Sequence, residues 1–340
     1  MHIPDMILSG RVAAVTGVVA AAGLGLALVK VRRHLGERVS VLTGVVAAFV
    51  FVAQMVNFPV GPGVSGHLMG GVLAAVLVGP WAGAVAIAAV LIVQCLLFGD
   101  GGLTALGANF LNLGLIGAVL GYAIYAPLRR AIGGRKGTLI AAMLASWLVV
   151  MIAAAMVSVQ LAASTTMSSF PRIFIWMMLV HAVIGVGEAL ITGLVLRFVL
   201  LVRPDFVFEP ETAGATPLRR LAGTVAAGLG IALAVAVVLA PLAWTTPDGL
   251  EFVGARLGIE PRETTPVVAA PMPDYELPGV AGRFGLGAAT AAAGVVGTLI
   301  VFIASLMLAR VLQPSGAGPS HDVLLTEPEP EPEPEPAHVG

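Results

Sequence analysis

The stretch LMGGVLAAVLVGPWAGAVAIAAVLIVQCLLF, residues 68–98, decides how this chain is threaded. It is too long for one ordinary membrane-crossing helix, which needs about 20 apolar residues, and Gly79-Pro80 breaks it. Clear apolar runs flank it at roughly 12–30 and 39–58 on one side, and at 103–125, 138–163, 174–201, 219–244 and 286–311 on the other. The whole chain is 58% hydrophobic and 11% charged, with a mean hydropathy of +0.98. A water-soluble domain carries about 25% charged residues, so this chain reads as an all-α membrane protein, a polytopic helical bundle.

Charge fixes the parity of the ambiguous stretch. Lys30, Arg32, Arg33 and Arg38 follow the first run, and Arg129, Arg130, Arg135 and Lys136 form the next basic cluster. Basic loops stay cytoplasmic, so both clusters belong on one side, and 68–98 must cross twice or dip in and return at Gly79-Pro80. Its first arm, about 64–79, is short, tilted or re-entrant, and shielded by protein. Thirteen of the eighteen Lys and Arg then lie inside, leaving Arg11, Arg172, Arg256, Arg262 and Arg283 outside. The expectation is about nine segments, N-terminus outside and C-terminus inside, in the cell membrane. The formal charge of −1 misleads, because six acids sit in residues 321–340; the rest of the chain is net positive.

The segments up to about Arg203 are followed by PDFVFEPETAGATP, a polar, proline-containing linker. The last two segments bracket an external loop, 245–283, and the EPEPEPEPEP tail reads as an extended, solvated spacer. No cleavable signal peptide is evident, and the mature protein is expected to begin at Met1 or His2. Cys95 lies alone in an apolar run and reads as a small hydrophobe.

Enzyme chemistry finds little support. There is no G-x-x-x-x-G-K-[ST] phosphate loop; GGRKGT at 133–138 has the wrong spacing. No Cys/His cluster shows zinc spacing.

The histidines are more informative. A free amine followed directly by His2 is a ready chelator, because the Met1 amine, the His2 backbone nitrogen and the His2 Nδ1 close a five- and a six-membered ring around one ion. Three nitrogens in a plane favour Ni(II) or Cu(II); the alternative is an ordinary frayed terminus. His67 lies in NFPVGPGVSGHLMGG (57–71), a glycine- and proline-shaped connection that parity places on the same face as Met1. It can supply the fourth nitrogen, or it can simply cap a carbonyl.

Asn57, Asn109, His181 and Glu188, with Gln54, Gln94 and Asn112, are polar groups within the apolar runs. His181 and Glu188 are seven apart and share one helix face. They read as part of a metal or proton path, or as interhelical hydrogen bonds that fix the bundle. His34, His321 and His338 fall in cytoplasmic turns or tail. Small residues at 17–27 and 153–158 either pack internally or dock a partner subunit. In the external loop, Asp248 and Glu251 of PDGLE suit a helix capping box, with Leu250, Val253 and Leu257 as its apolar face. Six acids against three arginines in this loop fit a solvated surface or a cation-attracting one.

MHIPD at 1–5, NFPVGPGVSGHLMGG at 57–71, FGDGGLTALGAN at 98–109 and HAVIGVGEALITG at 181–193 together resemble the cobalt/nickel substrate-capture component of energy-coupling factor transporters, the CbiM/NikM family. PDGLEFVGARLGIE and PDYELPG (273–279) resemble its two-helix accessory partner, here apparently fused. The resemblance implies a capture unit over 1–205, a linker over 206–218, an accessory unit over 219–312 and a disordered tail over 313–340. It also implies metal ligation by Met1, His2 and His67. It implies a membrane coupling subunit and cytoplasmic ATPases as partners beside the lipid bilayer, with no nucleic acid. The transported substrate would be Ni(II) or Co(II), with no intrinsic cofactor and no catalysis by this chain. Met6-Ile7 replaces the Gly-aromatic pair usual after MHIPD, which touches the packing beneath the site. The rivals are a proton-coupled secondary transporter using His181 and Glu188, and a membrane scaffold with no substrate.

Overall fold

A computed structural model of the chain describes residues 1–34, 37–208, 218–259 and 266–312. The Glu-Pro tail with His321 and His338, most of the expected linker, and the side chain of His34 lie outside the described residues. Helix α1 spans Gly10–His34 and α2 Glu37–Met55. A hairpin of β1 (Phe58–Gly61) and β2 (Val64–Gly66) leads into α3, Gly71–Val78. Then come α4 (Pro80–Phe98), α5 (Leu106–Ile132), α6 (Gly134–Ser164) and α7 (Phe170–Val202). The remainder holds α8 (Ala222–Leu242), a short amphipathic helix α9 (Gly249–Leu257) and α10 (Leu286–Leu312).

Among the described residues, seven helices are long and apolar enough to cross a membrane, and α2 carries a shorter apolar run, Val39–Met55. The chain is a polytopic helical membrane protein. Helix α3 differs in kind. Its eight residues span about 12 Å against a hydrocarbon core of about 30 Å. Gly79 at φ 89° stops it and Pro80 starts α4 at its first turn, as the sequence break implied. Seven of its eight residues are buried, because α2, α4, α5 and α6 pack around it. A helix too short to span the hydrocarbon needs such cover for its ends.

The long helices show what lipid contact requires. On α7 the buried face carries Ile173, Met177, His181, Ile184, Glu188, Thr192 and Leu196, while Leu179, Val183, Val186, Leu190 and Leu194 are exposed. Both faces are apolar in the main; the two ionisable groups in the middle of the helix, His181 and Glu188, point inward, away from lipid, while Arg172 and Arg197 near its ends are exposed. Helices α6 and α7 pack most extensively, and α10 packs on α2. A second apolar cluster joins Phe51, Met55, Val90 and Phe98 to Ala232, Ala236, Met272, Ala293 and Val301, which seats α8 and α10 against α2 and α4.

The small residues at 17–27 pack internally where they meet α5. A Cβ on Gly107 would meet the Gly17 backbone at 2.5 Å, and Leu115 lies against Gly23. Ala153, Ala154, Val157 and Ser158 are likewise buried. Buried polar side chains pair across helices: Asn112 and Gln160 exchange hydrogen bonds of 3.0 and 3.1 Å, and Gln94 donates to Gln54 at 2.9 Å. Cys95 is a buried free thiol.

Candidate metal-capture site

The N-terminus is not frayed: Met1, His2 and Ile3 are all buried. FGDGGLTALGAN forms its receptacle. The Asn109 amide treats Ile3 as a neighbouring strand would, accepting from Ile3 N at 2.8 Å and donating to Ile3 O at 3.0 Å. Gly102 N adds a bond to Ile3 O at 2.9 Å, and a Cβ there would overlap the Asp5 backbone. One Asp5 oxygen accepts from Thr104 N and Oγ1 at 2.8 and 2.7 Å, the other from Val267 N at 3.3 Å. Burial alone would raise the Asp5 carboxyl; the Thr104 and Val267 donors outweigh it and hold it below its ordinary value. Met6 then turns the chain away at φ 64° and is 62% exposed.

The hairpin β1–β2 delivers His67 to the same point. Behind it, the Glu188 carboxylate accepts from Met69 N at 2.6 Å and Gly70 N at 3.0 Å, and Gln54 donates to Met69 O at 2.8 Å. The His67 ring donates from Nδ1 to Leu68 O at 3.1 Å. That bond fixes the tautomer and leaves the Nε2 lone pair facing the Met1 amine at 2.6 Å. Burial, reinforced by the Met1 ammonium, pushes the His67 pKa down, so the ring stays an electron-pair donor.

The His2 ring stacks on His67, centroids 5.1 Å apart and 7° from parallel. Its Nδ1 lies 3.1 Å from Asp100 Oδ1, while its Nε2 is buried without a partner. Met1 N and His67 Nε2 therefore meet at one buried point, with the His2 ring stacked beside them and its Nδ1 turned to Asp100. Helix α9 closes it. Asp248 caps α9 through Oδ1, accepting from Leu250 N and Glu251 N at 2.8 and 2.9 Å, and Glu251 completes the capping box. Its Oδ2 lies 2.6 Å from the Met1 amine and 3.5 Å from His67 Nε2. Ser65 N and Oγ both bond the Thr246-Pro247 backbone, and the Arg256 guanidinium lies over Trp176 of α7 at 4.1 Å. A small cavity beneath is lined by Met1, His67, Met69, His181, Ile184 and Asp248.

A sequence profile of the family described as CbiM, "Cobalt uptake substrate-specific transmembrane region", matches residues 2–206. The chain belongs to that family. Residues 222–314 match the PDGLE domain, so α9, which closes the site, comes from the PDGLE region. This CbiM-family chain is 35% identical to a putative fused nickel transport protein, NikMN, of Archaeoglobus fulgidus, over 91% of its own length and 98% of the relative's. It is 33% identical to the fused nickel transport protein NikMN of Rhodobacter capsulatus, over 81% and 88% of the two chains. A crystal structure of a truncated transition metal transporter is similar at 30% identity and a TM-score of 0.54, covering 59% of this chain and 99% of that one.

The other expected residues divide. Asn109 holds the N-terminus and Glu188 holds the His67 loop. His181 lines the cavity, but its Nδ1 bonds Met177 O on its own helix at 2.8 Å, and no hydrogen bond joins it to Glu188 among the described residues. Asn57 contributes its backbone carbonyl, to Trp244 N at 3.0 Å, and stays outside the cluster. Asp100, Asp248, Asp5 and Tyr275 were not singled out as site residues from sequence. Asp100, Asp5 and Tyr275 lie in motifs quoted above, FGDGG, MHIPD and PDYELPG; the sequence shows the capping role of Asp248 but not its reach to Met1.

Proposed function

We propose that this chain is the substrate-specific capture subunit of an ATP-driven importer for Ni(II) or Co(II), with the ion taken at the N-terminus on the outer face. The ligands are the Met1 amine, the His2 backbone nitrogen, His2 Nδ1 and His67 Nε2. The observation that carries this reading is the meeting of Met1 N and His67 Nε2 at 2.6 Å in a buried pocket, beside the His2 ring. Nothing in the apolar core needs an amine and two imidazoles there. Four nitrogens at the corners of a plane suit a strongly polarising late transition ion. The relatives' names, nickel transport proteins, point to the same cargo.

A capture unit over 1–205 and an accessory unit over 219–312 divide the work, the second supplying the helix that closes the site. The energy comes from partner ATPases acting through a membrane coupling subunit. Two measurements test this. Titration of purified protein with Ni(II) and Co(II) should give tight binding that His67→Ala weakens and His2→Ala removes, while His181→Ala retains it. Uptake in cells should stop when the ATPases carry phosphate-loop mutations. Uptake that survives those mutations and collapses with an uncoupler would instead favour a proton-coupled carrier.

A further inference from the structure

The segment that follows α9 returns to the site from its other side. Its backbone is anchored by Met272 N on Leu97 O at 2.9 Å. Asp274 and Tyr275 then take φ of 53° and 58°, a left-handed region that side chains other than glycine's enter rarely. The result is an inward-turned tyrosine. Its ring stacks on Phe98, centroids 4.7 Å apart and 15° from parallel, with Phe51 tilted against it at 6.1 Å. Its hydroxyl donates to Asp100 Oδ2 at 2.6 Å. The other oxygen of the same carboxylate faces His2 Nδ1 at 3.1 Å. A strained turn that ends on a carboxylate bound to a candidate ligand is a reason to look for function rather than packing alone.

The His2 ring stands the wrong way round for capture. The chelate needs Nδ1, which Asp100 engages, while Nε2 is buried with no partner. Turning the ring half a revolution about Cβ–Cγ brings Nε2 to the side that Asp100 occupies; the ring proton passes from Nδ1 to Nε2 by exchange with water, which leaves the Nδ1 lone pair for the ion. Histidines that bind metals ordinarily donate their second ring N–H to a carboxylate, which orients the ring.

We propose that Tyr275, from the PDGLE region, is a positioning residue for metal capture: it holds Asp100, and Asp100 holds the His2 ring, through Nδ1 in the empty site and through Nε2–H in the loaded one. This rests on the N-terminal capture reading. The accessory region thereby touches the site twice, through Asp248 on the Met1 side and through Tyr275 on the His2 side.

The test uses the full chain, purified in lipid nanodiscs, as wild type, Tyr275→Phe, Asp100→Asn and the double variant. Ni(II) affinity is read by competition with a chelator, the ligand field by the d–d absorption band of the bound ion, and the fold by melting of the metal-free protein. Tyr275→Phe should weaken binding about ten-fold with the band and the melting temperature unchanged. The double variant should bind no more weakly than Asp100→Asn alone, because the tyrosine acts through the aspartate. Wild-type affinity in Tyr275→Phe, additive losses in the double variant, or loss explained by a lower melting temperature would each overturn the proposal. Nitrogen-15 spectra of the histidines in the Ni(II) complex should place the ion on His2 Nδ1 with a proton on Nε2; an ion on Nε2 would overturn the ring exchange. A chain extended by one residue before Met1 is run alongside. If it binds as wild type does, the capture reading itself fails; if it loses binding while Tyr275→Phe keeps it in full, only the positioning role fails.

Discussion

The Met1 amine and the Asp248 carboxylate, 247 residues apart in sequence, meet at 2.6 Å. The two oxygens of Asp248 have separate tasks, Oδ1 starting helix α9 and Oδ2 holding the terminus. Substitutions can therefore separate them. Asparagine is a good N-cap, so Asp248→Asn keeps the helix start and removes the charge opposite Met1. The pair is partly buried, so removing its charge costs less than the ~3 kcal/mol of a fully buried pair but more than the ~1 kcal/mol of a lost cap. Hydrogen exchange over Gly249–Leu257 should speed markedly in Asp248→Asn and only slightly further in Asp248→Ala. Wild-type protection in Asp248→Asn would show that the ion pair does not hold α9 in place.

The same pair sets an acid limit. Burial by itself would raise the Asp248 carboxyl, but the Met1 ammonium outweighs it and holds it well below the usual carboxylate range. A carboxylate depressed on folding contributes stability that is complete above its unfolded pKa of about 3.9 and is lost as pH falls through the lower, folded value. Protection over α9 should therefore be level from neutral pH down to about 5 and fall only in stronger acid. Release of α9 between pH 6 and 5 would require a different group to carry the contact.

Glu188 discriminates between the two transport readings. Its oxygens accept from Met69 N and Gly70 N, which fixes the loop that carries His67. Glu188→Gln keeps one acceptor and sets an amide N–H against a backbone N–H. Ni(II) affinity should fall about ten-fold, as for other residues that support a ligand, and residual uptake should still depend on the ATPases. Unchanged affinity with abolished uptake would make Glu188 a proton carrier.

Orientation rests on the distribution of basic residues. In a Cys95→Ala background, Val267→Cys should react with a membrane-impermeant thiol reagent in intact cells and Arg135→Cys should not. Both positions are exposed on the protein, so labelling of Arg135→Cys alone would invert the topology.

Much of the fold was legible in the sequence because the membrane simplifies it. Apolar runs of fixed length gave the segments, and Gly79-Pro80 gave the break that makes α3 short. The ligand candidates Met1, His2 and His67 were legible because their chemistry is local. Their surroundings were not. That Asn109 would pair with Ile3, or Asp5 with Thr104, depends on the close approach admitted at Gly102, which only three dimensions display. Tyr275 was hidden for the same reason, since its reach depends on two left-handed residues that no pattern announces. The departure at Met6 was expected to disturb packing beneath the site. Ile7 does pack against the core, whereas Met6 is mostly exposed, and its φ of 64° is one that glycine adopts freely, so there the constraint is on the backbone.

The central claim, capture by the chain's own amine, is tested most directly by adding one residue before Met1. The extension turns the amine into an amide and moves His2 to the third position, while the membrane helices keep their sequences. Isothermal titration of the native and extended proteins with Ni(II) and Co(II) should show tight binding in the first and a loss of at least a hundred-fold in the second, about 2.7 kcal/mol or more, with the melting of the helical bundle preserved. Equal affinity in the two proteins would contradict the account and place the ion elsewhere.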